Sequence, residues 1–391
     1  MWRFAWSLAV AVPLAVATTD IAVGQETAND SSAAFAQATQ EVKIAYSRIE
    51  SLRTEYQEAT EARRQEIDKE LLDVLAETQQ KVNAMVDAAL EAFKADPMGD
   101  KQVSDQLFAV AEYQIVGRGP GGGGDQYEAA LPLIETLVDG GHDNKMLPVW
   151  GALAAICANE FDLAEKFAKT AQQSGAFSAD PGENEFTKET FETALRHIKA
   201  LPQYRQRWEK EQAIRATEAA ADDLPRVKLT TSKGDIVLEL FENEAPIATA
   251  NFLSLVKKGF YDGVVFHRVL PRFMAQGGDP TGKGTGGPGY SIACECYTPN
   301  TRDHFRGTLS MAHAGRDTGG SQFFLTLVPT DFLDGRHTAF GRVVEGIEVL
   351  SDLQRIDPER PLNIEPDQIV SAEVLRDRGH AYSFEKLPSR R

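Results

Sequence analysis

Residues 264–280 read VVFHRVLPRFMAQGGDP. The stretch is apolar enough to be buried, yet it carries His267, Arg268 and Gln276 within a short span. A buried Arg is costly unless its guanidinium is paired or used. Two runs of strand composition, 264–270 and 272–276, flank Pro271, and Gly277-Gly278 ends the second. An Arg and a Gln held on strands beside Phe273 and Met274 imply a small apolar pocket with one cation in its wall. Such a site reads a small apolar group and one carbonyl.

Working outward, the chain from Arg226 onward reads as short strands. Residues 226–231 and 235–241 alternate, with the hairpin signal Ser232-Lys233-Gly234 between them. Pro246 opens a helix that reaches Lys258, and Gly259 follows it. Further strands are expected at 308–312, 322–326, 338–344 and 368–376, with a short helix at 347–356. Many short strands with only two helices point to a closed antiparallel barrel.

Three blocks now stand in order. The first is Phe266-His267-Arg268-Val269 with Pro271, continued by Phe273-Met274-Ala275-Gln276-Gly277-Gly278-Asp279. The second is Gly307-Thr308-Leu309-Ser310-Met311-Ala312, followed by Ser321-Gln322-Phe323-Phe324. The third is Phe332-Leu333-Asp334-Gly335-Arg336-His337-Thr338-Ala339-Phe340-Gly341. Together they resemble the signature of the cyclophilin-type peptidyl-prolyl isomerases, over about residues 226–376. The resemblance implies a closed, eight-stranded antiparallel β-barrel capped by two helices. It implies that Arg268 is the catalytic arginine and that Gln276 orients it. Phe273, Met274, Phe324, Leu333 and His337 would form a proline pocket. Ala312, His313 and Gln322 would line the groove for the substrate backbone, with His267 structural.

The chemistry suits those residues. Resonance gives a peptide C–N bond a rotational barrier of ~18–20 kcal/mol. Lowering it needs no nucleophile, metal or cofactor, only a donor that favours the twisted state, in which the proline nitrogen regains its lone pair. A guanidinium does this and keeps its proton. The sequence also departs from the family pattern. Phe332 stands on the apolar wall where many members have a Trp associated with cyclosporin binding. His313 replaces an Asn or Arg, at a contact expected through backbone. Residues 290–305, with Cys294 and Cys296, follow no pattern of the family.

A chain of 391 residues is expected to hold two or more domains. Its net charge is -17, which argues against nucleic acid as a partner. The charge is uneven: residues 225–391 hold 20 basic and 21 acidic side chains, leaving 21 against 37 before them. A boundary at 224/225 follows. Residues 1–24 have the form of a secretory signal: Arg3, an apolar run from Leu8 to Ala17, and the small-residue site Ala22-Val23-Gly24. The run is too short to span a bilayer, so the mature protein is expected to be exported, most simply to a periplasm, without stable membrane insertion. An uncleaved anchor is the alternative. Cys157 reads as core, and Cys294 and Cys296, two residues apart, as loop thiols rather than a bridge.

Residues 25–40 read as a disordered lead-in and 41–224 as an acidic all-α domain. Its first part is a long amphipathic helix or hairpin, with a stripe through Ile49, Leu52, Tyr56, Ile67, Leu71 and Leu75 that stops at Asp96-Pro97. Glycines 121–124 read as a connector, since no Lys-Ser/Thr pair follows to make a phosphate loop. Beyond them, small residues in 150–174 loosely resemble tetratricopeptide-type helix pairs; a plain bundle is the other reading. A helix from 186 to 221 is expected to break at Pro202. Residues 225–378 form the isomerase domain and 379–391 a tail. The expected function is an exported prolyl isomerase acting on X–Pro bonds of unfolded or flexible polypeptides. The helical half would recruit a partner or self-associate. The alternative is a Pro-peptide-binding module with little turnover.

Overall fold

The computed structural model describes residues 30–97, 99–117, 123–361 and 364–389. The expected signal at 1–24 and the centre of the glycine connector lie outside them. Helix α1 (Asp30–Glu58) already occupies most of the expected lead-in. It turns back at Thr60, whose side chain caps α2 (Glu61–Ala95), so the amphipathic stripe belongs to a hairpin. Its far end holds a cluster of its own from Ile49, Leu52, Ile67, Leu71 and Leu75. Helices α3 (Lys101–Val116), α4 (Tyr127–Asp139), α5 (Met146–Cys157) and α6 (Phe161–Gln173) follow. Every residue of α5 is buried, which makes it the axis of a bundle.

Helix α7 (Glu185–Ala221) corrects one expectation, because it runs unbroken through Pro202. An interior Pro costs about 3 kcal/mol. Buried Leu201 and Tyr204 on either side of it hold both halves of α7 in packing, and the Asn184 side chain caps the first turn. Tertiary contacts outweigh the local penalty here.

The second half carries β1 (Arg226–Thr231), β2 (Gly234–Leu240), α8 (Pro246–Val256), β3 (Arg268–Leu270), β4 (Met274–Gly277), β5 (Tyr290–Ser291), β6 (Thr308–Met311), β7 (Phe323–Thr326), β8 (Ala339–Glu345), α9 (Ile347–Asp352), β9 (Ile369–Arg376) and β10 (Leu387–Pro388). Eight strands form one antiparallel sheet in the order β3-β4-β7-β6-β8-β2-β1-β9. It is a curled half-barrel, not the closed barrel expected. Residues 264–267, which alternation assigns to the same strand as Arg268, meet the far edge only around one bridge, Val265 with Gln368, with backbone bonds from 263–266 to 367–369. A continuous ladder between β9 and β3 is therefore never built. The concave face encloses Phe252, Phe266, Phe323 and Phe340, all fully buried, with α8 packed against β9 and α9 against β2. The tail does not hang free: β10 pairs with β5, and Tyr382 and Phe384 pack against the same core.

The two halves share a boundary that is partly core. Trp208 of α7 meets Phe305 edge-on at 5.0 Å, and Phe305 and Val328 belong to the helical half's apolar cluster. Beside it lies a buried ion network. Arg302 donates to Glu211 at 2.6 and 2.8 Å and to Glu218 at 2.6 Å, while Arg342 donates to Glu218 at 2.7 Å.

Candidate active site

Side chains alternate across a strand, so each strand of the sheet has a core face and an outer face. Val269, Ala275, Phe323 and Leu325 take the core face. The register then lines up the others across neighbouring strands: Arg268 stands opposite Gln276, Gln276 opposite Phe324, and Phe324 opposite Ser310. Leu270, Met274 and Phe324 share that outer face with Phe273, Ala312 and Leu333 in a small apolar cluster separate from the core. The residues of the opening stretch are thus a site wall, not barrel filling.

Together they line a cleft of about 300 Å³. Ten of the eleven expected site residues are in it: Arg268, Phe273, Met274, Gln276, Ala312, His313, Gln322, Phe324, Leu333 and His337. Phe332 is the exception. It is 55% exposed and touches the site through Phe273, with ring centroids 5.7 Å apart. His267 is buried outside the cleft lining. The sequence reading missed Gly284 and Ala314, which also line the cleft. It missed His304 too, whose ring stacks on Phe324 at 6.0 Å.

Arg268 is half-buried, and its guanidinium lies 5.6 Å from the Phe273 ring centroid. Among the described residues it makes no hydrogen bond or ion pair, whereas Arg272, Arg302, Arg306 and Arg355 are all paired with carboxylates. Gln276 sits across the ladder from it, but its amide nitrogen donates to Gln322 Oε1 at 3.0 Å. Gln322 donates in turn to the carbonyls of Gly284 and Gly286 at 3.0 and 2.8 Å, tying the glycine loop to the groove. So Gln276 braces the groove floor beside Arg268.

The same loop is pinned by Asp279. Its carboxylate accepts the N–H groups of Thr281 at 2.7 Å and Gly286 at 3.0 Å. Burial would raise its pKa, but these donors outweigh that and hold it down to about 2. Gly278 must be glycine: it has φ +85, and a Cβ there would lie 2.3 Å from Ser321 O.

Two histidines stack on the far wall. His337 Nδ1 lies 3.0 Å from Met311 O, and burial lowers its pKa. His313 stacks on it at 4.1 Å; its Nε2 is 2.8 Å from Arg336 O, and its Nδ1 accepts the Gly315 N–H at 3.2 Å. Phe324 meets His337 edge-on at 5.5 Å. Among the described residues, the cleft therefore offers one free cation, an aromatic and thioether floor, and stacked imidazole rings on the far wall. It is built to hold a small apolar ring next to a hydrogen-bond donor.

Comparison with known proteins agrees. A family model described as cyclophilin type peptidyl-prolyl cis-trans isomerase/CLD matches residues 226–374. A peptidyl-prolyl cis-trans isomerase of Helicobacter pylori is 55% identical over 132 residues, covering 33% of this chain and 80% of that protein. One from Synechococcus elongatus is 50% identical over 151 residues, covering 38% of this chain and 95% of its own. A crystal structure of a Cryptosporidium parvum cyclophilin type isomerase is 34% identical, with a TM-score of 0.36; it covers 39% of this chain and 99% of that one. The match leaves α1 to α7 outside it. Through residues 226–374, the chain belongs to the cyclophilin-type peptidyl-prolyl cis-trans isomerases.

Proposed function

We propose that Arg268 is the electrostatic catalyst of X–Pro rotation in this cleft. The proline ring sits against Phe273, Met274, Phe324, Leu333 and His337, and the backbone of the peptide runs along Ala312, His313 and Gln322. As the bond twists, the proline nitrogen pyramidalises and its lone pair becomes an acceptor. The Arg268 guanidinium donates to it. The interaction is stronger in the twisted state than in either planar one, which is the condition for lowering a barrier rather than merely binding. The backbone N–H of His313 anchors the neighbouring carbonyl. The Gln276–Gln322 pair keeps the groove floor fixed while the bond turns.

The observation that carries this reading is the guanidinium of Arg268 over an apolar cleft, unpaired among the described residues, while the buried arginines Arg272, Arg302, Arg306 and Arg355 are each held by a carboxylate. Exchange NMR on an X–Pro peptide tests it. Wild type accelerates exchange, and Arg268→Ala loses about 100-fold in kcat/KM. A wild-type rate in Arg268→Ala overturns the assignment.

The clients in this reading are unfolded or flexible polypeptides, in which X–Pro exchange takes tens to hundreds of seconds and limits folding. The compartment is outside the cytoplasm, on the strength of the leader-like residues 1–24. Cell fractionation with N-terminal sequencing tests that: a mature start at Gln25 in the periplasmic fraction supports it, and an intact Met1 in the cytoplasm refutes it. The helical half, residues 41–224, recruits clients or a partner.

A further inference from the structure

Two turns carry the side walls of the cleft, and the helical half grips both. The first is Pro271-Arg272, which leads into Phe273. Arg272 stands at φ +55, and its N–H donates to both carboxylate oxygens of Asp125, at 3.1 and 3.2 Å. Its guanidinium meets Glu189 of α7. The second is the 3-10 turn Asp331–Leu333, which carries Phe332 and Leu333. Tyr204 of α7 donates to Asp331 Oδ1 at 3.1 Å, and Arg207 donates to Asp334 Oδ2 at 2.6 Å.

The second turn is the informative one. None of its three residues is buried, and its apolar contacts are partial: Leu333 packs on the Met274 and Phe324 cluster and Phe332 on Phe273. Polar ties share in fixing its position, and those from the helical half act at both of its ends. Asp334 extends the link inward. Its Oδ1 accepts the His304 N–H at 2.9 Å and lies 2.8 Å from His304 Nδ1, and His304 lies flat on Phe324 at the cleft floor. Tyr204 is itself held by buried His197, whose Nδ1 is 3.0 Å from the hydroxyl. A continuous path of contacts therefore runs from α7 to the wall and floor of the cleft.

We propose that the helical half sets the width of the proline pocket, with Tyr204 and Arg207 as positioning residues. This rests on the reading of the cleft as the isomerase site. Neither side chain touches the substrate; both act through the turn that carries Leu333. Loss of either tie lets the wall drift, so peptide binding weakens while the Arg268 chemistry, on β3, is retained.

The test uses the full chain and an X–Pro peptide, with KM and kcat taken from exchange NMR. The variants are Arg207→Ala, Arg207→Lys, Tyr204→Phe and, as a boundary control, Glu128→Gln, which weakens the pair with Arg306 and itself bonds neither turn. Arg207→Ala raises KM about three- to tenfold with kcat changed less than about twofold. Arg207→Lys restores part of the KM, and Glu128→Gln leaves both constants unchanged. Tyr204→Phe removes one hydroxyl and carries the test should Arg207→Ala fold poorly. Wild-type KM in folded Arg207→Ala and Tyr204→Phe overturns the proposal, as does an equal rise in Glu128→Gln. An inactive wild type would instead sink the reading of the cleft, so the two failures are distinct.

Discussion

Arg302→Met removes the centre of the ion network that joins α7 to the sheet. Arg302 is 3% exposed, makes three short hydrogen bonds to Glu211 and Glu218, and lies 3.9 Å from the Phe241 ring centroid. Breaking a buried pair by deleting one partner typically costs about 3–5 kcal/mol, because a buried charge is left uncompensated. Here the low end applies. Glu211 keeps Arg215 at 2.7 Å and Glu218 keeps Arg342 at 2.7 Å, so neither carboxylate is fully stranded. Met refills much of the volume over Phe241. The expected loss is about 3 kcal/mol. Urea unfolding measures it, with Trp208 fluorescence as a local probe, since that ring sits between Phe305 and the Arg215 guanidinium. The sign of the pH dependence is a second check. Burial alone would raise the Glu211 pKa, but Arg302 and Arg215 hold it below the usual value. Its stabilisation is therefore present above the unfolded pKa and is lost as pH falls below that through the lower folded value. The gap between wild type and Arg302→Met should narrow over the same window. A loss under about 1 kcal/mol at pH 7, or a gap that does not change with pH, refutes the reasoning.

Two further outcomes follow from the cleft. The Asp279 carboxyl, held down to about 2 against about 3.9 when unfolded, contributes about 2 kcal/mol that is present above pH 4 and lost between about pH 4 and 2; Asp279→Asn should flatten that part of an acid-unfolding curve followed by circular dichroism. Phe332 is 55% exposed, so Phe332→Trp should shift stability by no more than about 0.5 kcal/mol and leave kcat/KM near wild type. If the family's Trp is what favours cyclosporin, the same change should tighten cyclosporin at least about tenfold in a fluorescence titration.

Which parts were readable from sequence has a physical explanation. Alternation and the three ordered blocks suffice for the cleft, because Arg268, Met274, Gln276 and Phe324 sit on paired strands whose register is fixed by period-two packing. The other six of the ten cleft residues lie in turns and strand flanks that the blocks, not the alternation, make readable. Barrel closure was misread because local strand composition at 264–267 says nothing about whether a distant edge arrives to pair with it. Pro202 was misread for a related reason: helix continuity there is decided by what Leu201 and Tyr204 pack against, which no local rule contains. Gln276 is the subtler case. It stands opposite Arg268, but its hydrogen-bond partner, Gln322, is the residue before β7.

The boundary between the halves was hidden by the charge count itself. A net excess of acid before residue 225 and near balance after it reads as two unlike bodies. The contacts say otherwise. Asp125, Glu128, Glu189, Glu211 and Glu218 of the acidic half each meet an arginine of the other: Arg355, Arg306, Arg272 and, for the last two, Arg302. These arginines are nearly all buried, so their pairing is a condition of folding and not surface decoration. The near-neutral half is thus not neutral where it faces α7, and part of the acidic excess is spent within the molecule. Residues 290–305 include Arg302 and His304, and both face the helical half or the turn it holds. The hold extends along α7 from the pairs with Arg302 to Arg207, whose bond to Asp334 reaches the turn beside the cleft.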